Sequence, residues 1–170
     1  LIDGGGFPGG RFDVGRSVVA PLLWKKKIER IDTLVLTHPD PDHLNGLVFV
    51  ASHFRIGEFW STGFLGDSEA SRQLEEVLAR KGIPRRVLDD RTPLRAINGV
   101  TLSVLNPEAG TDRVRRKQER SWVNNSSLVM SIRFGDVSLL LPGDIESEAE
   151  ARLLRKGRSL RADLLKVPHH

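Results

Sequence analysis

His38, Asp40, Asp42 and His43 stand close together in the sequence, directly after the apolar residues 34–36. Imidazole nitrogens and carboxylate oxygens are donors that zinc, manganese and iron accept in proteins. The spacing therefore predicts a metal site in a loop at the end of a strand. The alternative is a capped turn, in which Asp42 caps a helix that begins near His43.

Two further loops carry groups of the same kind, and each follows an apolar stretch. Asp144 comes after one of these stretches, and His169 and His170 come after the other. Side chains at the ends of neighbouring strands can converge, because the sheet holds them rigidly. We therefore expect the three loops to supply one metal centre. His53 has no such neighbours and is interpreted as a structural or surface residue.

The elements that would position these residues follow from the periodicity of the apolar side chains. Helices are predicted at residues 13–27, 43–54, 68–81 and 145–156, and strands at 32–36, 56–60, 100–105, 127–134, 137–141 and 162–167. Pro21 predicts a kink or a break in the first helix, because proline has no N–H to donate. Residues 106–125 are predicted to form a polar, basic loop. Interleaved strands and helices predict an α/β architecture in which helices cover the sheets.

Length and composition exclude several classes of protein. A chain of 170 residues predicts a single domain with a sizeable core. The absence of cysteine excludes disulfide scaffolds, thiol nucleophiles and cysteine-based zinc sites. No run approaches the roughly 18 to 20 apolar residues that cross a bilayer. The chain opens on LIDGGG and stops on PHH, so we interpret it as a fragment of a longer protein.

The charge is unevenly distributed along the chain. Lys plus Arg number 26 and Asp plus Glu number 22, and the excess of base falls in residues 80–95, 111–120 and 151–161. Clustered bases favour a polyanionic partner, although a solvated charged face is the alternative for each cluster. Trp122 is interpreted either as a base-stacking residue or as a core residue beneath the basic loop. The candidates for nucleic-acid binding are Arg113, Arg115, Arg116, Lys117, Arg120 and Trp122.

Several motifs together resemble one protein family. The His38-x-Asp40-x-Asp42-His43 motif, following a strand, resembles the His-x-His-x-Asp-His motif of the metallo-β-lactamase fold. The stretches LIDGGG, WVNNSSLVMSIRFGDVSLLLPGDIE and LLKVPHH, in that order, resemble the C-terminal domain of ComEC-type competence proteins, which take up DNA. The resemblance implies one four-layer αββα sandwich over residues 1–170, truncated at its C-terminal end. It also implies a soluble domain of a polytopic protein of the bacterial cell membrane, whose channel portion would be a partner.

The resemblance further implies roles for individual residues. His38 and Asp40 would hold one metal ion, Asp42 and His43 would hold a second, and Asp144 would bridge both. Two divalent ions are therefore expected, and a mononuclear site is the alternative. Metal coordination would supply a hydroxide that attacks a phosphodiester at neutral pH.

The remaining site residues are assigned in the same way. His169 or His170 would complete the second metal site, with His169 slightly favoured, and the other would protonate the leaving group. Lys166 would face the phosphate or be solvated. Asp3 matches the first motif of the family, where it would orient a ligand histidine. With Asp42, the histidine pair and Lys166 form the predicted catalytic set.

Two departures from the family pattern bear on the metal. Asp40 stands where the superfamily has its second histidine, and Asn124 or Asn125 stands where a third is expected. Oxygen donors favour harder ions, so Mn²⁺ is predicted over Zn²⁺, which stays possible. The function predicted is a metal-dependent DNA exonuclease that degrades one strand during uptake and recognises the backbone without sequence preference. The alternatives are a catalytically weak DNA-binding or scaffolding module and a small-molecule metallo-hydrolase.

Overall fold

The computed structural model describes residues 1–9, 12–110, 120–157 and 160–168. They form two compact units, Leu1–Val87 and Leu88–His170. Each unit has a β-sheet of its own, as the predicted α/β architecture requires. Within the described ranges, no helix has both the length and the apolar character to span a membrane.

The first unit is built on a three-stranded parallel sheet. Ile2 adds a parallel bridge to Val35 beside its first strand. In sheet order, the strands are β1 (Arg30–Val35), β2 (Arg55–Ser61) and β3 (Arg85–Val87). The helical segments are a π-helical turn (Gly15–Val19), α1 (Ala20–Lys25), α2 (Pro41–His53) and α3 (Glu69–Arg80). The parallel strands are therefore connected through α2 and α3, and their buried apolar side chains form the core of this unit.

The predicted helices of this unit are confirmed to within a few residues. The Oγ atom of Ser68 accepts a hydrogen bond from the Ser71 N–H and caps α3, and Gly82, with φ +61°, follows the end of that helix. Pro21 lies in the first turn of α1, directly after the π-helical turn, and so stands where the helical hydrogen-bond pattern changes. The predicted helix at 13–27 is thus a π-helical turn that continues into a short α-helix, rather than one regular helix.

The second unit carries a five-stranded sheet that is antiparallel apart from its last pair. Its strands, in sheet order, are β4 (Arg95–Ile97), β5 (Val100–Asn106), β6 (Val129–Phe134), β7 (Val137–Leu141) and β8 (Leu164–Leu165). Its helices are α4 (Arg120–Asn125) and α5 (Ser147–Arg155). The predicted hairpin is confirmed: β6 and β7 pair across a turn at Gly135, which has φ +57°.

Four elements differ from the sequence-based prediction. Strands β3 and β4 were not predicted, because each is three residues long and carries exposed or half-buried residues without alternation. Helix α4 lies inside the stretch predicted to be loop, where Trp122 is its one buried apolar side chain. The last strand is shorter than predicted, Leu164–Leu165, although the backbone N–H groups of Asp163 and Lys166 on either side of it also donate to carbonyls of β7.

Candidate metal centre

Strand β1 delivers the predicted ligands to the start of α2. Asp40 is the residue that precedes the helix, and its side chain makes no capping hydrogen bond. The backbone carbonyl of Asp40 accepts the N–H groups of His43 and Leu44 instead. Asp42 lies in the first turn, two positions after the N-cap residue Asp40. The two carboxylates are therefore not used as helix caps, which was the alternative interpretation of this motif.

Asp3 organises the histidines from a separate part of the chain. Its Oδ1 accepts the backbone N–H of Thr37 at 2.8 Å, and its Oδ2 accepts the Thr37 hydroxyl at 2.8 Å. The same Oδ2 lies 2.8 Å from Nδ1 of His43. Asp3 holds this position with φ +54°, in the left-handed region that Asp tolerates better than most residues. The carboxylate predicted to orient a ligand histidine thus contacts one of the predicted ligand histidines, His43.

Three glycines allow the Asp3 segment to lie against α2. The Gly4 N–H donates to the His43 carbonyl at 2.7 Å, and the Gly46 N–H donates to the Gly5 carbonyl at 2.8 Å. A Cβ atom at Gly46 would lie 2.0 Å from the Gly4 oxygen, and one at Gly4 would lie 2.4 Å from the Leu47 nitrogen. No side chain fits in either place. The LIDGGG motif therefore serves a close backbone approach that keeps Asp3 beside His43.

Protons in this network can be assigned from the donors and acceptors. Because Thr37 gives its one hydroxyl proton to Asp3, His38 Nδ1, at 3.1 Å from Thr37 Oγ1, must donate to that oxygen. His43 Nδ1 donates to the Asp3 carboxylate in the same way. In the neutral imidazoles, Nε2 then carries the lone pair on both rings, which is the form that binds metal.

The donor set fits a divalent metal. His38 Nε2 lies 4.0 Å from Asp40 Oδ2, and His43 Nε2 lies 3.7 Å from Asp42 Oδ2. Metal–ligand bonds of about 2.0–2.2 Å allow two ligands of one ion to stand at most about 4.2 Å apart. The two histidine rings are buried, with centroids 4.0 Å apart. Two nitrogen and two carboxylate donors therefore lie close enough to share metal ions.

In the second unit, Asp144 is a fully buried carboxylate with a lysine beside it. Its Oδ1 lies 2.9 Å from Nζ of Lys166, which also donates to the Gly143 carbonyl at 3.3 Å. The Asp144 N–H donates to the hydroxyl of Ser127 at 3.2 Å. A buried carboxylate needs a compensating positive charge, which Lys166 supplies here. The predicted phosphate-facing lysine is thus placed against a predicted metal ligand.

The asparagine pair has a structural use that the sequence did not reveal. Asn125 Oδ1 accepts the backbone N–H groups of Glu146 at 3.1 Å and Ala149 at 3.0 Å, and so caps α5. The Glu146 carboxylate accepts the Ser121 hydroxyl at 2.7 Å and the Asn124 amide at 2.8 Å. Asn124 Oδ1 is buried and has no hydrogen-bond partner among the described residues. Of the two asparagines, Asn124 is therefore the one whose side-chain oxygen could bind a metal ion or accept a further hydrogen bond.

Sequence reasoning did not assign Glu146, Ser121, Ser127 or Thr37 to the site. The one available signal was position: Glu146 follows Asp144 by two residues, at the start of the predicted helix. Trp122 is 9% exposed, which favours the core interpretation over base stacking, while Arg120 is exposed. The predicted residues that lie outside the described ones are Arg113, Arg115, Arg116, Lys117, His169 and His170.

Helix α2 is also fixed at its far end. Lys81 Nζ donates to the carbonyls of Ala51, Ser52 and Phe54 at 2.7, 3.1 and 2.8 Å. Burial lowers the pKa of Lys81, and the nearby Arg80 lowers it further. His53 Nδ1 donates to the Phe49 carbonyl and its ring stacks on that residue, in agreement with a structural role. Side chains therefore hold both ends of α2, the helix that carries predicted ligands.

Comparison with known proteins identifies the family. The family model described as "Metallo-beta-lactamase superfamily" matches residues 1–170. The chain is 30% identical over 160 residues to ComE operon protein 3 of Bacillus subtilis (strain 168), covering 94% of this chain and 19% of that protein. It is 48% identical over 48 residues to the uncharacterized protein YcaI of Escherichia coli (strain K12), covering 28% of this chain and 6% of that protein. The chain therefore spans less than a fifth of the length of these relatives.

Among solved structures, CmlA, a diiron beta-hydroxylase from Streptomyces venezuelae, matches with a TM-score of 0.48 and 20% identity, over 81% of this chain and 25% of that one. The predicted fold class and the resemblance to ComEC-type proteins are confirmed by the family model and by the Bacillus relative. The superfamily match supports a metal-dependent hydrolase that uses divalent ions. The chain belongs to the metallo-β-lactamase superfamily.

Proposed function

We propose that this chain is a metal-dependent nuclease domain that cleaves the DNA backbone during DNA uptake. The observation that carries the proposal is the buried pair His38 and His43, each with Nδ1 held and Nε2 within 4.0 Å of a carboxylate oxygen. Similarity to ComE operon protein 3 supports the uptake context. The domain would belong to a polytopic protein of the bacterial cell membrane, with the channel portion as its partner.

The proposed metal ligands are those of the first motif, with Asp144 as a further carboxylate and His169 as the last donor. This set contains three carboxylates and three histidines, and Asp40 stands where the superfamily has a histidine, which favours Mn²⁺, with Zn²⁺ as the second choice. Two divalent ions are proposed. When bound, they would lower the pKa of water and neutralise charge on a phosphodiester.

The chain's own residues would bind and orient the reacting groups. Asp3 and Thr37 fix the ring planes of the histidines through hydrogen bonds of 2.8 to 3.1 Å. Lys166 holds one oxygen of Asp144 and so limits how that carboxylate can turn. His170 is proposed to protonate the leaving alkoxide. The basic residues Arg113, Arg115, Arg116, Lys117 and Arg120 are proposed to attract the DNA backbone, with salt-dependent affinity.

A cleavage assay on DNA labelled at its 5′ or 3′ end tests this function. Single- and double-stranded DNA would be incubated with Mn²⁺, Zn²⁺, Mg²⁺ or EDTA. We expect Mn²⁺-dependent products with one polarity, and we expect Asp42→Asn and Asp144→Asn to abolish them while the fold is retained. Salt-sensitive DNA binding in EDTA without products under any ion would favour the binding module instead. Retained cleavage in both variants would exclude the proposed site.

A further inference from the structure

The first unit exposes apolar side chains next to a run of lysines, on a helix that the proposed function does not use. Val18, Leu22 and Trp24 are 51%, 53% and 52% exposed. Lys25, Lys26 and Lys27 follow directly and are also exposed. We call these six residues the α1 patch. No acidic residue occurs between Asp13 and Glu29, so the patch and its surroundings carry a local excess of positive charge.

The tryptophan of the α1 patch is held in place rather than loosely exposed. Its ring stacks on Phe54, with centroids 5.7 Å apart and an interplanar angle of 22°. Phe54 is buried, so one face of the indole is packed and about half of the side chain remains outside. Leu23, between Leu22 and Trp24, is buried and anchors the helix to the core. The exposed side chains therefore stand on a fixed support.

The part of the α1 patch that contains Trp24 and the lysines lies at the opposite end of β1 and of α2 from the histidines. It precedes β1, whereas His38 follows that strand, and six strand residues span about 20 Å. Phe54, which supports Trp24, follows the C-terminal end of α2, whereas His43 lies in its first turn. A helix of 13 residues is also about 20 Å long. Trp24 and the lysines are therefore too far from the histidines to contact the reacting groups at the proposed site.

We propose that the α1 patch docks this domain on the surface of an anionic lipid bilayer. Aliphatic side chains and a tryptophan gain free energy at the boundary between headgroups and acyl chains. Lysines beside them extend toward anionic headgroups while their stems cover apolar surface. Nucleic acid needs the lysines but not the exposed leucine and valine, so lipid accounts for both parts of the patch. This inference does not depend on the proposed nuclease activity.

Vesicle binding tests the proposal directly. The chain would be sedimented with unilamellar vesicles of phosphatidylcholine alone or with 30% phosphatidylglycerol, at low and high salt. We expect binding to the anionic vesicles alone, weakened by salt. Trp60 and Trp122 are buried, so a blue shift of fluorescence and its quenching by brominated lipid would report on Trp24. Trp24→Phe should remove that signal while leaving most of the sedimentation.

Charge variants show whether vesicle binding depends on the lysines of the α1 patch or on the net positive charge of the whole chain. Replacing Lys25, Lys26 and Lys27 by Gln should lower the partition coefficient by about 100-fold, because each basic residue near an anionic surface contributes about fivefold. The matched control replaces three exposed arginines of the second unit by Gln and should bind vesicles nearly as the wild type does. These arginines are Arg91, Arg133 and Arg161. Circular dichroism and thermal unfolding confirm that each variant is folded.

Several results would overturn the proposal that the α1 patch binds lipid. Absence of binding to anionic vesicles excludes it, as does equal loss of binding in the lysine variant and its control. Loss of DNA affinity in the lysine variant, without vesicle binding by the wild type, would assign the patch to nucleic acid. Leu22→Ser should weaken vesicle binding at unchanged charge, and wild-type binding in that variant would leave only a charge effect and contradict the docking model.

Discussion

The two units hold their predicted ligands by different means. In the first, the carboxylate of Asp3 contacts the Thr37 and His43 side chains, and so it fixes the orientation of the donor atoms themselves. In the second, Ser127 and Asn125 accept backbone N–H groups around Asp144 and so fix the loop, while the Asp144 carboxylate itself contacts a cation, Lys166. Substitutions in the first unit should therefore alter metal affinity, and substitutions in the second should alter stability.

Among substitutions outside the proposed ligands, Asp3→Asn should lower metal affinity the most. Asn has one acceptor oxygen where Asp3 has two, so it cannot accept from both the Thr37 N–H and His43 Nδ1, and loss of such a partner lowers metal affinity by about 10- to 100-fold. Competition with a chromogenic chelator measures the affinity for Mn²⁺ and Zn²⁺. Asp32→Asn is the matched control, because Asp32 is an exposed residue of β1 that pairs with Arg30. Equal metal affinity in Asp3→Asn and Asp32→Asn would contradict the claim that Asp3 orients the metal-binding atoms of the first unit.

Asn125→Ala should chiefly lower stability. It leaves two backbone N–H groups at the start of α5 without their acceptor, which costs about 2 kcal/mol. Urea unfolding of the metal-free chain measures the loss. Asn125→Asp retains an acceptor at the same place and should recover most of it. If Asn125→Ala unfolds like the wild type but binds metal weakly, the residue acts on the metal and not on the loop.

Lys166→Met should destabilise the metal-free chain by about 1 kcal/mol, because the buried Asp144 carboxylate loses its cation. The loss is kept small by the exposure of the lysine side chain, which is 42% accessible and screened by solvent. Bound metal would supply the missing charge, so Mn²⁺ should raise the thermal midpoint of this variant more than that of the wild type. Lys26→Met, at an exposed position, is the control. Equal midpoint shifts would contradict the charge argument.

The smallest effect concerns Asp163, which ties β8 to β7. The Ser138 hydroxyl, followed by the Ser138 N–H, holds the pKa of Asp163 below its usual value of 3.8. Because the folded pKa is the lower one, the contribution to stability is present above pH 3.8 and is lost as pH falls through the folded pKa. The difference in thermal midpoint between wild type and Asp163→Asn should therefore shrink between pH 6 and pH 3. A constant difference would show that this carboxylate does not titrate with folding.

The sequence predicted those parts of the molecule that are encoded locally. Helix α3 followed from the spacing of its apolar residues and from the glycine after its end, and the β6–β7 hairpin followed from two stretches that flank a Gly-Asp turn. The His-Asp cluster was recognised because its members are close in sequence. Its orientation through Asp3 was predicted from the resemblance alone, since the contact joins residues 40 positions apart.

The contacts that could not be predicted are those that join distant polar residues. Nothing in the sequence ties Asn125 to the N-terminus of α5 or Glu146 to Ser121, because such hydrogen bonds depend on how loops pack. The pairing of Lys166 with Asp144 was missed for the same reason, since both were assigned to a substrate or a metal. Short strands such as β3 were not predicted, because three exposed residues are too few to show the alternation of apolar and polar side chains that is typical of a strand.

Binding of Mn²⁺ measured by electron paramagnetic resonance tests the central claim, that strand-end donors of the first motif hold divalent metal. The wild type should show saturable binding, and the double variant His38→Ala/His43→Ala should bind at least about 100-fold more weakly. His53→Ala is the matched control on the same helix and should bind as the wild type does. Equal Mn²⁺ affinity in the double variant and the wild type would contradict the account.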